Sequence, residues 1–83
     1  MASHAFSVRV EDRPGMLFRL TQVLAESGAD IRYVDILHRP AQTEIFFECD
    51  LPSAVEPVIE HLRTIGGVRH VSSAPSIDRK SVV

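Results

Sequence analysis

The chain has 83 residues, 45% of them hydrophobic and 24% charged, a composition that describes one ordered globular domain with little room for a deep, dry catalytic pocket. Its formal net charge of −2 supplies no basic surplus for a phosphate backbone, so a nucleic-acid partner is not expected. One cysteine, Cys49, excludes an internal disulfide framework and fits a cytoplasmic setting, and no apolar run approaches the ~20 residues of a membrane helix.

Residues 6–10 alternate Phe6, Val8 and Val10 with Ser7 and Arg9, which predicts a half-buried strand. The strand stops at E-D-R-P-G, residues 11–15, where Asp12 is expected to cap the next helix and Pro14 to sit in its first turn. From there the period is helical. Leu17, Leu20, Val23 or Leu24, and Ser27 make one stripe with Met16 on its flank, while Arg19, Gln22 and Glu26 face solvent. Gly28 stands where a left-handed residue closes a helix, giving a first helix over residues 14–27.

Residues 30–38 are rich in β-branched and aromatic types and predict a second strand. Ile31 and Val34 share a face only with a slip, so a bulge is expected near residues 32–34. A short polar turn with Pro40 leads to a third strand at residues 43–50. Ile45, Phe47 and Cys49 lie on one of its faces, and Glu44, Phe46, Glu48 and Asp50 on the other. So short a connection makes an antiparallel hairpin.

S-A-V-E at residues 53–56 fits a capping box, and Val55, Val58, Ile59, Leu62 and Ile65 form the stripe of a second helix that ends at Gly66 and Gly67. Pro57 lies one residue beyond its usual place, so the cap shifts or the first turn tightens to 3₁₀. Residues 68–71 read as a short fourth strand. From Ser72 on the chain is polar and expected to fray, leaving one domain at residues 1–73 and a tail at 74–83.

The order β-α-β-β-α-β, with two right-handed split βαβ units, predicts an α+β, ferredoxin-like fold: a four-stranded antiparallel sheet with both helices on one face. Phe6, Val8, Val10, Ile45 and Phe47 join the helix stripes in the core. The other sheet face is open and would expose Phe46 among acids.

The turn at residues 11–17 is the leading candidate for function. A helix N-terminus offers free N–H groups and partial positive charge to an anion. Gly15 has no Cβ to obstruct a ligand or a second backbone. Arg13 could add a forked donor, and Asp12 could take an ammonium group, so together they suit a zwitterion such as an amino acid. The plainer alternative is that Asp12 caps, Pro14 starts the helix and Gly15 simply fits.

The same turn carries a resemblance. D-R-P-G-M-L after a strand, the helix closed by E-S-G-A-D-I at residues 26–31, and T-I-G-G-V-R-H-V at residues 64–71 resemble an ACT domain over residues 6–73. The resemblance implies regulatory binding of an amino acid or similar small metabolite, usually at the interface of paired domains. Such domains are typically fused to metabolic enzymes, (p)ppGpp synthetases or transcription regulators; some stand alone, and some only dimerise. It implies a ligand site formed by Asp12, Arg13, Pro14, Gly15, Met16 and Leu17, closed by Asp30 and Ile31 from the partner of a homodimer. In serine-binding members a histidine lies five residues before the glycine and an asparagine three before it. Here those positions hold Val10 and Asp12, and Asp12 would repel a carboxylate where asparagine would not, though it can hold an amino group.

Other residues point to blander roles. His4, His38, His61 and His70 have no metal-ligand spacing with one another or with Cys49, so surface or cap roles are expected and neither a metal nor a cofactor is. Cys49 reads as a small core residue, since no base is placed to activate it. Glu44, Glu48 and Asp50 read as a solvated strand face that Arg9 and Arg32 can pair with. An RNA-binding sheet would need more aromatics than Phe46 and Tyr33 and a basic background. An acylphosphatase-like enzyme would need a phosphate-cradling loop that is missing. The two surviving readings are a dimeric small-molecule sensor and a dimerisation module without a ligand.

Overall fold

A computed structural model describes residues 2–75. Two of its strands form the centre of a sheet because every second residue is apolar. β1 (Ala2–Val10) pairs antiparallel with β3 (Thr43–Leu51), setting Phe6 opposite Phe47 and Val8 opposite Ile45, and all four side chains are buried. β2 (Asp30–His38) joins the outer side of β3, and β4 (Val68–Pro75) the outer side of β1, giving the order β2-β3-β1-β4 with antiparallel neighbours throughout. Helices α1 (Met16–Glu26) and α2 (Glu56–Arg63) supply Leu20, Leu24, Val58 and Leu62 to the same core. This is the expected ferredoxin-like arrangement, and each fully buried Phe or Leu contributes about 1.5–3 kcal/mol to it.

The bulge anticipated in the second strand is present as a register shift between Ile31 and Tyr33. It returns Val34 and Ile36 to the face of Phe47 and Ile45, where they lie opposite those residues. Gly28 has φ +80° and ends α1 in a Schellman motif: Ala29 N–H donates to Leu24 O and Gly28 N–H to Ala25 O, both at 3.0 Å.

Several boundaries differ from expectation. α1 starts at Met16 rather than residue 14, and Met16 is buried while Leu17 is 38% exposed, so the stripe is rotated from the expected one. The reason lies in the turn described below. Ser53 does not cap α2; the N-cap is Val55, which places Pro57 within the first two helical positions, where its missing N–H costs little. β4 continues through residues 72–75 because β1 begins at Ala2 and offers His4, Ala5, Phe6 and Ser7 as partners. The rest of the expected tail, residues 76–83, lies outside the described residues. His4 is half-buried rather than on the surface: its ring stacks 6.4 Å from Phe6, and its Nδ1 has no hydrogen-bond partner among the described residues.

The open sheet face is more ordered than a row of solvated acids. Phe46 is half-buried, with the Tyr33 ring edge-on at 6.2 Å. Glu44 accepts the Ser7 hydroxyl at 2.7 Å and lies 3.6 Å from Arg39. Asp50 accepts from the Ser3 hydroxyl and from Arg32 at 2.8 Å. The Ser7 hydroxyl, followed by Arg39 and Arg9, holds the Glu44 carboxyl below its usual range, and Ser3 with Arg32 does the same for Asp50. Both groups therefore bind fewer protons folded than unfolded near their ordinary values of 4.5 and 3.8. Their stabilisation is complete above those values and is lost as pH falls through the lower folded ones. Thermal melting from pH 6 to about pH 3 should show this loss, with a smaller acid-induced drop in Tm for Ser7→Ala than for the wild type; equal drops would refute the Ser7 assignment.

Candidate functional site

The chain leaves β1 at Val10 and must reverse to lay α1 over the sheet. Arg13, Pro14, Gly15 and Met16 make that reversal. Gly15 has φ +81° and ψ 1°, and Met16 N–H reaches Arg13 O at 3.4 Å. Proline at the second position and a positive-φ glycine at the third are the requirements of a type II turn. Pro14 therefore belongs to a turn ahead of the helix and not to the helix's first turn. Gly15 is the N-cap, and its carbonyl receives the first helical bond, from Arg19 N–H at 3.1 Å. The N–H groups of Leu17 and Phe18 precede that ladder and stay free of intrahelical partners.

Asp12 is not the cap, since α1 has no side-chain cap bond. It is exposed and has no hydrogen-bond or ion-pair partner among the described residues. Glu11, part of the candidate turn but given no role from the sequence, holds two cations: Arg13 at 2.6 Å and Arg69 of β4 at 3.6 Å. Its N–H donates to Gly67 O at 2.8 Å, tying the turn to the start of β4.

The turn rims a cleft of about 160 Å³. Asp12, Arg13, Gly15, Met16 and Leu17 line it, with Val10 and Glu11 from the end of β1. Ile36, His38, Thr43 and Ile45 of the β2–β3 hairpin complete it. Thr43 is buried, with its hydroxyl 3.4 Å from His38 Nδ1. The sequence reading placed these hairpin residues on strands but not in the candidate site, yet the signal was there. A four-residue turn fixes His38 opposite Thr43, and the β1–β3 register sets Thr43 opposite Val10, at the very end where the Gly15 turn begins.

Pro14 does not line this cleft, and neither do Asp30 and Ile31. Those two occupy the opposite end of β2, opposite Asp50 and Cys49, so one chain does not unite them with the Gly15 turn. Cys49 is buried, and burial together with Asp50 pushes its thiol up to about 11, which leaves it protonated at neutral pH. No cluster of three or more His, Cys, Asp or Glu able to hold a metal occurs among the described residues, and no described helix is long and apolar enough to cross a membrane.

The family model described as ACT domain matches residues 4–67. The chain belongs to the ACT domain family. Such domains generally serve regulatory small-molecule binding and are not themselves catalytic. Among solved structures, the ACT domain of GTP pyrophosphokinase from Chlorobium tepidum is similar at a TM-score of 0.75 and 17% identity, covering 88% of this chain and 97% of that one. An unknown protein from Galdieria sulphuraria has a TM-score of 0.81 at 15% identity over 93% of this chain, which spans 46% of that protein. A homoserine dehydrogenase from Thiobacillus denitrificans has a TM-score of 0.74 at 22% identity over 89% of this chain and 17% of its own. At these identities the likeness speaks for the fold. No curated protein matches the chain.

Two glycines support this ACT turn in different ways. A Cβ on Gly15 would meet nothing within 4 Å, so a side chain there suffers only the backbone penalty of a positive φ. A Cβ on Gly67, at φ +98°, would lie 3.2 Å from Met16 Sδ and 3.6 Å from Arg13 Cδ. Gly15→Ala should therefore cost about 1–2 kcal/mol, and Gly67→Ala distinctly more because Met16 must also move. Urea denaturation midpoints of the two variants test this, and a larger loss at Gly15 would contradict the packing described.

Proposed function

We propose that this domain is a regulatory sensor that binds an amino acid or similar small zwitterion in the cleft beneath the Gly15 turn, completed by a second copy. The observation that carries the proposal is the cleft's donor and acceptor set. The free Asp12 carboxylate suits an ammonium group. The N–H group of Leu17, at the positive end of α1, and the exposed Arg13 suit a carboxylate. A volume of about 160 Å³ is below the roughly 300–1,000 Å³ of drug-sized sites, which favours a small metabolite and leaves room for a wall from elsewhere.

β2 supports that wall. It is an edge strand with Val34, Ile36 and Leu37 each 38–44% exposed. An antiparallel self-pairing about its midpoint, Val34, would carry the partner's Asp30 and Ile31 to the end where Ile36 and His38 line the cleft. A ligand bridging both copies would favour the paired packing through its differential affinity, and the coupling would be reciprocal. The same reading sets the protein in the cytoplasm. The alternative, a dimerisation module without a ligand, rests on the same β2 edge.

Calorimetric titration with a panel of amino acids should reveal saturable binding. Asp12→Ala, at an exposed position, should weaken it by about 10-fold to 100-fold, the worth of one charged hydrogen bond. Gly15→Val should abolish it, with circular dichroism used to verify folding. Absence of any binder, together with a size that depends on protein concentration alone, would replace this reading with the dimerisation module. A monodisperse monomer at high micromolar concentration would overturn both.

A further inference from the structure

The sheet face turned away from the helices has two dissimilar halves. The registers arrange it in rows. Leu37, Glu44, Arg9 and His70 form one row. Asp35, Phe46, Ser7 and Ser72 form the next, and Tyr33, Glu48, Ala5 and Ala74 the third. The β2–β3 half therefore carries the bulk, a Tyr33–Phe46 edge-on pair flanked by carboxylates. The β1–β4 half carries serine and alanine with Arg9 and His70 at one end. No described element packs over either half.

We propose that this face is covered by the same face of a second copy, related by a two-fold axis parallel to the strands and passing between β1 and β3. Rotation about that axis keeps each row at its own height and exchanges left with right. β3 then lies over the partner's β1, and β2 over the partner's β4. Phe46 meets the partner's Ser7, and Tyr33 meets the partner's Ala74, so bulk falls on small residues and two sheets can approach to the ~10 Å of a sandwich. Glu44 meets the partner's Arg9, and no carboxylate faces another. A two-fold axis across the strands would instead set β3 on the partner's β3, with Glu44 near the partner's Asp50, and is disfavoured by like charge.

Covering Glu44 and Asp50 is tolerable because both already hold hydroxyl and arginine partners within their own chain, and Asp35 falls on the partner's Ser72, whose hydroxyl can donate to it. Four strands about 4.8 Å apart and eight or nine residues long present roughly 500–600 Å² in projection per copy, enough for the ~1,000 Å² total of a specific interface. The contact leaves the β2 edge free. Its axis runs along the strands and does not meet the axis of β2 edge pairing, so the two contacts used together do not close a point-group assembly. It does not depend on the ligand reading.

Sedimentation of Ser72→Arg/Ala74→Arg tests the proposal. Both positions are exposed, so the far-UV circular dichroism spectrum should match the wild type while the associated mass falls. Val34→Lys should remove edge pairing alone and leave the face contact. Independently, a mixture of Asp35→Cys and Ser72→Cys chains treated with a short bis-maleimide should give a mixed cross-linked pair. Buried Cys49 stays silent, and the wild type serves as its control. A wild-type monomer, an unchanged mass for the double arginine variant, or the absence of the mixed cross-link would each overturn the proposal. Loss of amino-acid binding in calorimetry would leave it standing.

Discussion

The pairing of β1 with β3 is the constraint from which the rest of the structure follows. Phe6 and Phe47 face each other without solvent exposure, and the period-two pattern extends that burial from Leu51 at one end to Val10 at the other. With one face of the central pair committed to the helices, β2 and β4 can only be edges, and the second face can only be polar or shared. A one-residue slip in this register would turn every core side chain into solvent, so the register is strongly specified. The same register brings Val10 beside Thr43 and so decides which loops meet at the cleft.

The Gly15 turn gives this frame its cleft. A type II turn consumes Pro14 and Gly15 before the helix starts, which drops Met16 into the core and leaves α1's first N–H groups without intrahelical partners. Gly67 fixes the turn from below through its carbonyl and its lack of a Cβ against Met16. Under the proposed function, a loop held on a rigid strand end and a helix start would lose little entropy when a ligand arrives. Glu11 is spent on Arg13 and Arg69, so it is Asp12 that remains available to a cation.

The two sheet faces follow different rules. On the helix side, burial excludes water and raises the Cys49 thiol, which makes it inert. On the open side, hydroxyls and arginines hold Glu44 and Asp50 charged, so the face is structured without being dry. Polar groups already satisfied inside one chain are cheap to cover, and that is what allows such a face to serve as a contact.

The sequence by itself determined the elements, their order, the faces of β1 and β3, the bulge in β2 and the Gly28 helix end, because each is written in periods and turn residues only a few positions apart. It also marked the Gly15 turn as the candidate loop for a ligand. Tertiary structure alone decided the rest. Asp12 and Ser53 look like caps by local pattern, but the chain's path starts each helix two or more residues later and leaves neither in capping position. Met16 and Leu17 exchange roles because Gly67, fifty residues away, makes room for one of them. Phe46 is half-covered because the bulge delivers Tyr33 to it. Each of these outcomes depends on contacts between segments distant in the chain, and local propensity carries no information about those contacts until the sheet register is set.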